Sequence, residues 1–129
     1  MNISISAFRM GNYALFEGAL QRIETVAGLE SSSYLDPMPI SQRHFEELGY
    51  RVYRQSTHFT IYLFETLPQD GIAVVFIGED EFTVREFSSQ IEYPFVRWVH
   101  ELQNLVEDRI ARQGAGKSYN AATRQISIR

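Results

Sequence analysis

Three histidines carry the side chains best suited to proton transfer or metal ligation near neutral pH: His44, His58 and His100. No two stand at H-x-H or i, i+4 spacing, so no metal pair is written into one element, and solvated or core-edge histidines are the default reading. His100 has the richest neighbourhood. On a helical projection from Phe95, the residues His100, Gln103, Asn104 and Glu107 fall at roughly 140°, 80°, 180° and 120°. They form one polar strip. His100 reaches Asn104 and Gln103 reaches Glu107 at i, i+4, where helical side chains meet. A histidine beside a carboxylate has the make-up of a general acid–base pair. The strip also suits a structural task, and that reading is preferred. Side-chain amides donate and accept, so Gln103 and Asn104 can satisfy the backbone of a neighbouring strand.

The remaining motifs are weaker. Gly116-Lys117-Ser118 contains the end of a phosphate loop, but position 111 holds Ala where the first glycine belongs. The segment also follows a helix rather than a strand, so a helix cap leading into a tail is expected. Glu79-Asp80-Glu81 offers carboxylates to a cation, yet beside Gly78 it reads as a solvated turn. The chain has no cysteine, which removes disulfides, thiolate zinc sites and cysteine nucleophiles and favours a reducing compartment. No G-x-S-x-G, H-E-x-x-H or serine–lysine motif occurs. No metal, cofactor or catalytic residue is expected.

The elements that must position these residues are legible from periodicity. Phe8 to Phe16 reads as a strand with Gly11-Asn12 able to take positive φ, and Glu17-Gly18 as a tight turn. A second strand is expected through Leu20, Ile23 and Val26, followed by a polar loop from Gly28 to Ser33. This opening predicts a β-hairpin or a small SH3-like barrel. Such a barrel would offer Tyr13 and Phe16 to a peptide, although Phe16 is better placed in the core. Ser41 is a good N-cap, with Ile40 and Phe45 at staple spacing and Gly49 closing a short helix. From Tyr50 to Phe87 the period changes to two. An antiparallel meander is expected, with a turn at Leu67-Pro68-Gln69-Asp70-Gly71 and a buried strand from Ile72 to Ile77. Phe95, Trp98, Val99, Leu102, Leu105, Val106 and Ile110 then make the apolar stripe of a long helix, with Pro94 in its first turn and Gly114 at its stop.

Arg9-Met10-Gly11-Asn12-Tyr13, then Pro39-Ile40-Ser41 with Phe45, Leu48, Gly49 and Tyr50, then Val99-His100-Glu101-Leu102-Gln103-Asn104-Leu105 occur in this order. The ordered set resembles a family of short proteins, without an assigned activity, found in Bacteroidetes genomes and their phages. The resemblance covers roughly residues 8 to 105 and implies an accessory protein of a mobile element. This chain departs from the pattern after Leu105, continuing to Arg129.

The fold class expected is α+β: the hairpin or barrel, the meander, and the amphipathic helix packed on the sheet. Residues 1–114 form a single domain, and 115–129 a flexible basic tail or an edge strand. The net charge is −4 over 12 basic and 16 acidic residues. Five basic residues and no acidic one fall from Arg109 onward, leaving 12 − 5 = 7 against 16, or −9, for residues 1–108. The function expected is that of a cytoplasmic, non-enzymatic interaction protein whose partner is a protein or a second copy of itself. The alternative is nucleic-acid binding through the basic tail. The longest apolar run, Ile72 to Ile77, is too short to span a membrane, so no membrane partner is expected. Arg9, Gly11, Asn12, His100, Gln103 and Asn104 are the candidate interaction or structural residues.

Overall fold

The computed structural model describes residues 7–66, 70–89, 91–113 and 127–128. The architecture is α+β. A two-stranded sheet, β1 (Tyr13–Phe16) and β2 (Ala19–Arg22), leads into α1 (Val26–Glu30), a 3₁₀ turn at Ser32–Tyr34 and α2 (Gln42–Glu47). The main sheet follows as β3 (Val52–Gln55), β4 (Thr60–Thr66), β5 (Asp70–Phe76) and β6 (Phe82–Glu86), then α3 (Val99–Gln113) and β7 (Ser127–Ile128). The strands β3 to β6 lie side by side in chain order, all antiparallel. Both β3 and β7 pair with β4 along the edge opposite β5. β3 takes its first half (Val52 opposite Tyr62) and β7 its second (Phe64 opposite Ile128). The rest of residues 115–129 lies outside the described residues.

The period of two puts one apolar set on the inner face. Register aligns Tyr62 with Val74 and Val84, and Phe64 with Ile72. These side chains are buried with Phe76 against Met38, Ile40 and Phe45 and against Val99, Leu102, Val106 and Ile110 of α3. Phe45 is the hub. Its ring meets Tyr50, Tyr62, Phe64 and Phe76 edge-on at centroid distances of 5.0, 4.8, 5.9 and 5.3 Å, the favoured aromatic arrangement. α2 holds that ring in place. The Ser41 hydroxyl accepts from the His44 amide at 3.1 Å, and Gly49 at φ 77° turns the chain out of the helix.

Among the described residues no helix covers the outer face, yet Leu63 and Ala73 are buried. Tyr53 on β3 and Phe87 just past β6 pair across the sheet. Their rings meet at 5.6 Å although two strands separate their elements. With neighbouring strands about 4.8 Å apart, both side chains must lie across the sheet to touch.

The N-terminal unit is a hairpin and no barrel closes. Glu17 at φ 50° and Gly18 at φ 82° make its tight turn. The second strand stops at Arg22, because the Thr25 hydroxyl accepts from the Gly28 amide at 2.9 Å and caps α1. Val26 and the segment after Gly28 therefore belong to a helix and a 3₁₀ turn, not to a strand and a loop. Phe16 lies at the hairpin end, 44% exposed, rather than in the core. Asp70 and Gly71 extend β5 instead of forming the turn, and Ile77 leaves the strand, 65% exposed. α3 starts at Val99, not near Pro94. Glu92 bridges Arg85 and the Tyr93 amide donates to Val84 O, so this stretch borders the sheet and leaves Phe95 exposed.

Candidate functional site

The structure brings together the two ends of the described core at the polar strip of α3. Gln103 faces the start of β1. Its Oε1 accepts from the Tyr13 amide at 2.8 Å and its Nε2 donates to Gly11 O at 3.1 Å. Asn104 reads the next residues out: its Oδ1 accepts from Asn12 Nδ2 at 3.0 Å, and its Nδ2 donates to Ala7 O at 3.2 Å. Asn12 in turn accepts the Arg9 amide through Oδ1 at 2.6 Å. Asn12, Gln103 and Asn104 are all buried. Two side-chain amides thus do for this segment what a neighbouring strand would do, which keeps buried backbone groups paired.

Gly11 sits at φ 87°, in the region glycine occupies without strain, and its amide donates to Ile23 O at 2.6 Å. Arg9 closes the arrangement from outside. Its guanidinium donates to both Asp108 oxygens, at 2.7 and 3.2 Å, and lies 3.5 Å from Glu107. The hydrogen bond to Asp108 raises the Arg9 pKa above its ordinary value, against the opposing effect of burial. His100 is fully buried, its ring 4.2 Å from that of Phe8. Glu107 therefore faces Arg9, while His100 packs on an aromatic ring. The other histidines lie apart: His44 Nδ1 is 2.8 Å from Pro39 O, and His58 sits in the turn before β4. Among the described residues no three metal-ligating side chains converge. Glu79 is committed to α2, its carboxylate accepting from the Arg43 amide at 2.8 Å.

A charged cluster ties the far half of α3 to the sheet. Glu86 accepts from Arg109 and from the Tyr93 hydroxyl at 2.9 Å through one oxygen, and from the Ser89 hydroxyl at 2.8 Å through the other. Arg109 also reaches the Tyr93 oxygen at 3.0 Å. These hydrogen bonds, Ser89's first and then those of Arg109 and Tyr93, hold the Glu86 carboxyl below its ordinary value. Burial, then the Glu86 carboxylate, pushes the Tyr93 hydroxyl up.

The sequence pattern did not single out a groove of about 540 Å³ between the hairpin and the α1–3₁₀ segment. Phe16, Ile23, Tyr34 and Leu35 supply its apolar lining, and Arg22 and Glu24 one charge of each sign. Tyr34 is 77% exposed, and Leu20 and Val26 nearby in sequence are also exposed. The signal available was Phe16, already a candidate for peptide contact, with Leu20, Val26 and Tyr34 as further large apolar residues close in sequence. No family model matches the chain, and neither a curated protein nor a solved structure is significantly similar to it. Among the described residues no helix is long and apolar enough to cross a membrane.

Proposed function

We propose that the chain is a non-enzymatic interaction protein of the cytoplasm that binds another polypeptide through the hairpin side of the molecule. The observation that carries this is the exposure of Phe16 and Tyr34 at the mouth of one groove. Scattered apolar residues on a surface need no explanation, whereas paired aromatics beside a concave lining are typical of partner-binding sites. The lack of cysteine supports a reducing compartment. The resemblance over residues 8 to 105 supports an accessory role in a mobile element.

The test is a tagged pull-down from native lysate, run with and without nuclease, comparing the natural chain with the Phe16→Ser/Tyr34→Ser variant. A protein retained after nuclease and lost with the variant is the expected result. A protein held equally by both forms places the contact elsewhere and defeats this reading. Nucleic acid recovered by both forms, with proteins lost on nuclease treatment, favours the basic tail of 115–129 instead.

A further inference from the structure

The groove lining takes in Gln21 and Arg22 of β2, a strand whose outer edge has a hydrogen-bonding capacity that follows residue by residue. In an antiparallel pair, facing residues alternate between those that exchange backbone hydrogen bonds and those whose groups point away from each other. Leu15 gives both its amide and its carbonyl to Asp36, at 2.8 Å each, on the side away from β2. Leu15 faces Leu20 in the register, so the Leu20 backbone groups point outward on the opposite side. Tyr13, which faces Arg22, likewise turns its amide away, to Gln103. Arg22 therefore presents its groups outward too. The Ile23 amide points inward, to Asn12 O at 2.9 Å, which keeps the alternation. Among the described residues no strand pairs with this edge, and all four residues of β2 are exposed.

Charge narrows what fits. From Tyr13 to Asp36 the charged residues are Glu17, Arg22, Glu24, Glu30 and Asp36, four acidic against one basic, and all are exposed. The one cation is already engaged: Arg22 lies over the Tyr13 ring, 5.5 Å from its centroid, with Nε 3.4 Å from Gly11 O. Arg22 and Glu24 both line the groove, so the acidic excess belongs to the hairpin and the segment after it rather than to the lining alone.

We propose that the outer edge of β2 and the adjoining groove capture an extended polypeptide segment of alternating basic and apolar residues, by strand addition. This deepens the interaction reading and rests on it. The partner's backbone pairs with Leu20 and Arg22. Its apolar side chains enter between Phe16 and Tyr34, and its cations meet Glu24 and Glu17. Main-chain bonds supply affinity and the alternate pockets supply selectivity.

The probes are fluorescein-labelled heptapeptides titrated into the full chain at low salt and read by anisotropy: Lys-Val-Lys-Val-Lys-Val-Lys, its Glu counterpart, and the Lys peptide with alternate amides N-methylated. The Lys peptide is expected to bind roughly tenfold or more tightly than the Glu peptide, and the methylated form to lose binding. Leu20→Pro removes only an outward amide, which an edge strand tolerates. It should abolish binding while circular dichroism stays unchanged. Should that variant fail to fold, Glu24→Lys serves, since it lies at an exposed position, and it should weaken the Lys peptide. Amide shifts should centre on Leu20, Arg22 and Tyr34. Equal binding of the Lys and Glu peptides, no binding of either, binding retained by a folded Leu20→Pro variant, or shifts centred elsewhere each overturns the proposal. So does a concentration-dependent dimer that Leu20→Pro disrupts, which would assign the edge to a second copy. If the peptides fail while Phe16→Ser/Tyr34→Ser still loses its lysate partner, strand addition is wrong and the interaction reading stands.

Discussion

At the residue scale, side-chain amides decide how the beginning of the fold is held. Replacing Gln103 with Ala leaves the part-buried Tyr13 amide without its acceptor and the Gly11 carbonyl with only the longer Arg22 contact at 3.4 Å. Each buried, unpaired group costs on the order of 1–3 kcal/mol. Gln103→Ala is therefore expected to lower the unfolding free energy by about 1–2 kcal/mol, measured by urea denaturation. A double-mutant cycle between Asn12 and Asn104 should show coupling, since the two side chains bond each other directly. The Glu86 cluster makes a different forecast. Its carboxyl is lowered from an ordinary value near 4.5, so the folded state gains from its ionised form. That contribution is complete above the ordinary value and is lost as pH falls through the lowered one. The stability gap between the natural chain and Glu86→Gln should shrink on acidification through this window, as read from denaturation at a series of pH values. The polar strip on α3 was legible in the sequence because a helical period fixes which residues share a face. Its partners were not: Gln103 and Gly11 are 92 positions apart, and no local pattern encodes which segment a side-chain amide will meet.

At the element scale, local chemistry and tertiary pairing divided the outcome. The α2 cap, the Gly49 stop and the alternation of β4 to β6 are short-range signals, and the structure follows them. Gly49→Ala should cost about 1 kcal/mol, because φ 77° is unfavourable to a residue with a Cβ, and a thermal melt would show it. Gly71→Ala should cost more, roughly 1–3 kcal/mol by overpacking. Its Cβ would stand 2.8 Å from Leu63 Cδ1 and 2.9 Å from Phe64 O, and that backbone oxygen cannot move aside. The start of α3 shows the limit of local reading. Pro94 suits a first helical turn, but Glu92 and Tyr93 are already bonded to β6. Trp98 bridges Pro39, and the Val99 amide donates to Met38 O at 2.8 Å. Those long-range pairings fix where the helix can begin, and they are absent from any window around Pro94. The second strand failed for a smaller reason: Thr25 has good β propensity and is also a competent N-cap, and here the cap prevailed.

At the scale of the whole molecule, the proposed recognition groove lies apart from the centre of the core. The core lies between the inner sheet face and the two helices α2 and α3; the hairpin packs on its border through Tyr13 and Leu15, and Phe16 and Tyr34 of the groove stay exposed. Phe16→Ser should therefore leave the unfolding free energy within about 0.5 kcal/mol of the natural value while removing a bound partner. A large loss of stability would show that the ring is structural after all. The polar clamp has a consequence in time. Asn12 bonds to a residue 92 positions later, so its docking waits on nearly the whole described chain. At about 5–20 residues per second, synthesis needs roughly 5–18 s to cover that distance. The hairpin and the meander rest on near neighbours and can form as they emerge. The clamp cannot, so a nascent chain halted before Gln103 would carry its first strand with the Tyr13 amide still bonded to water.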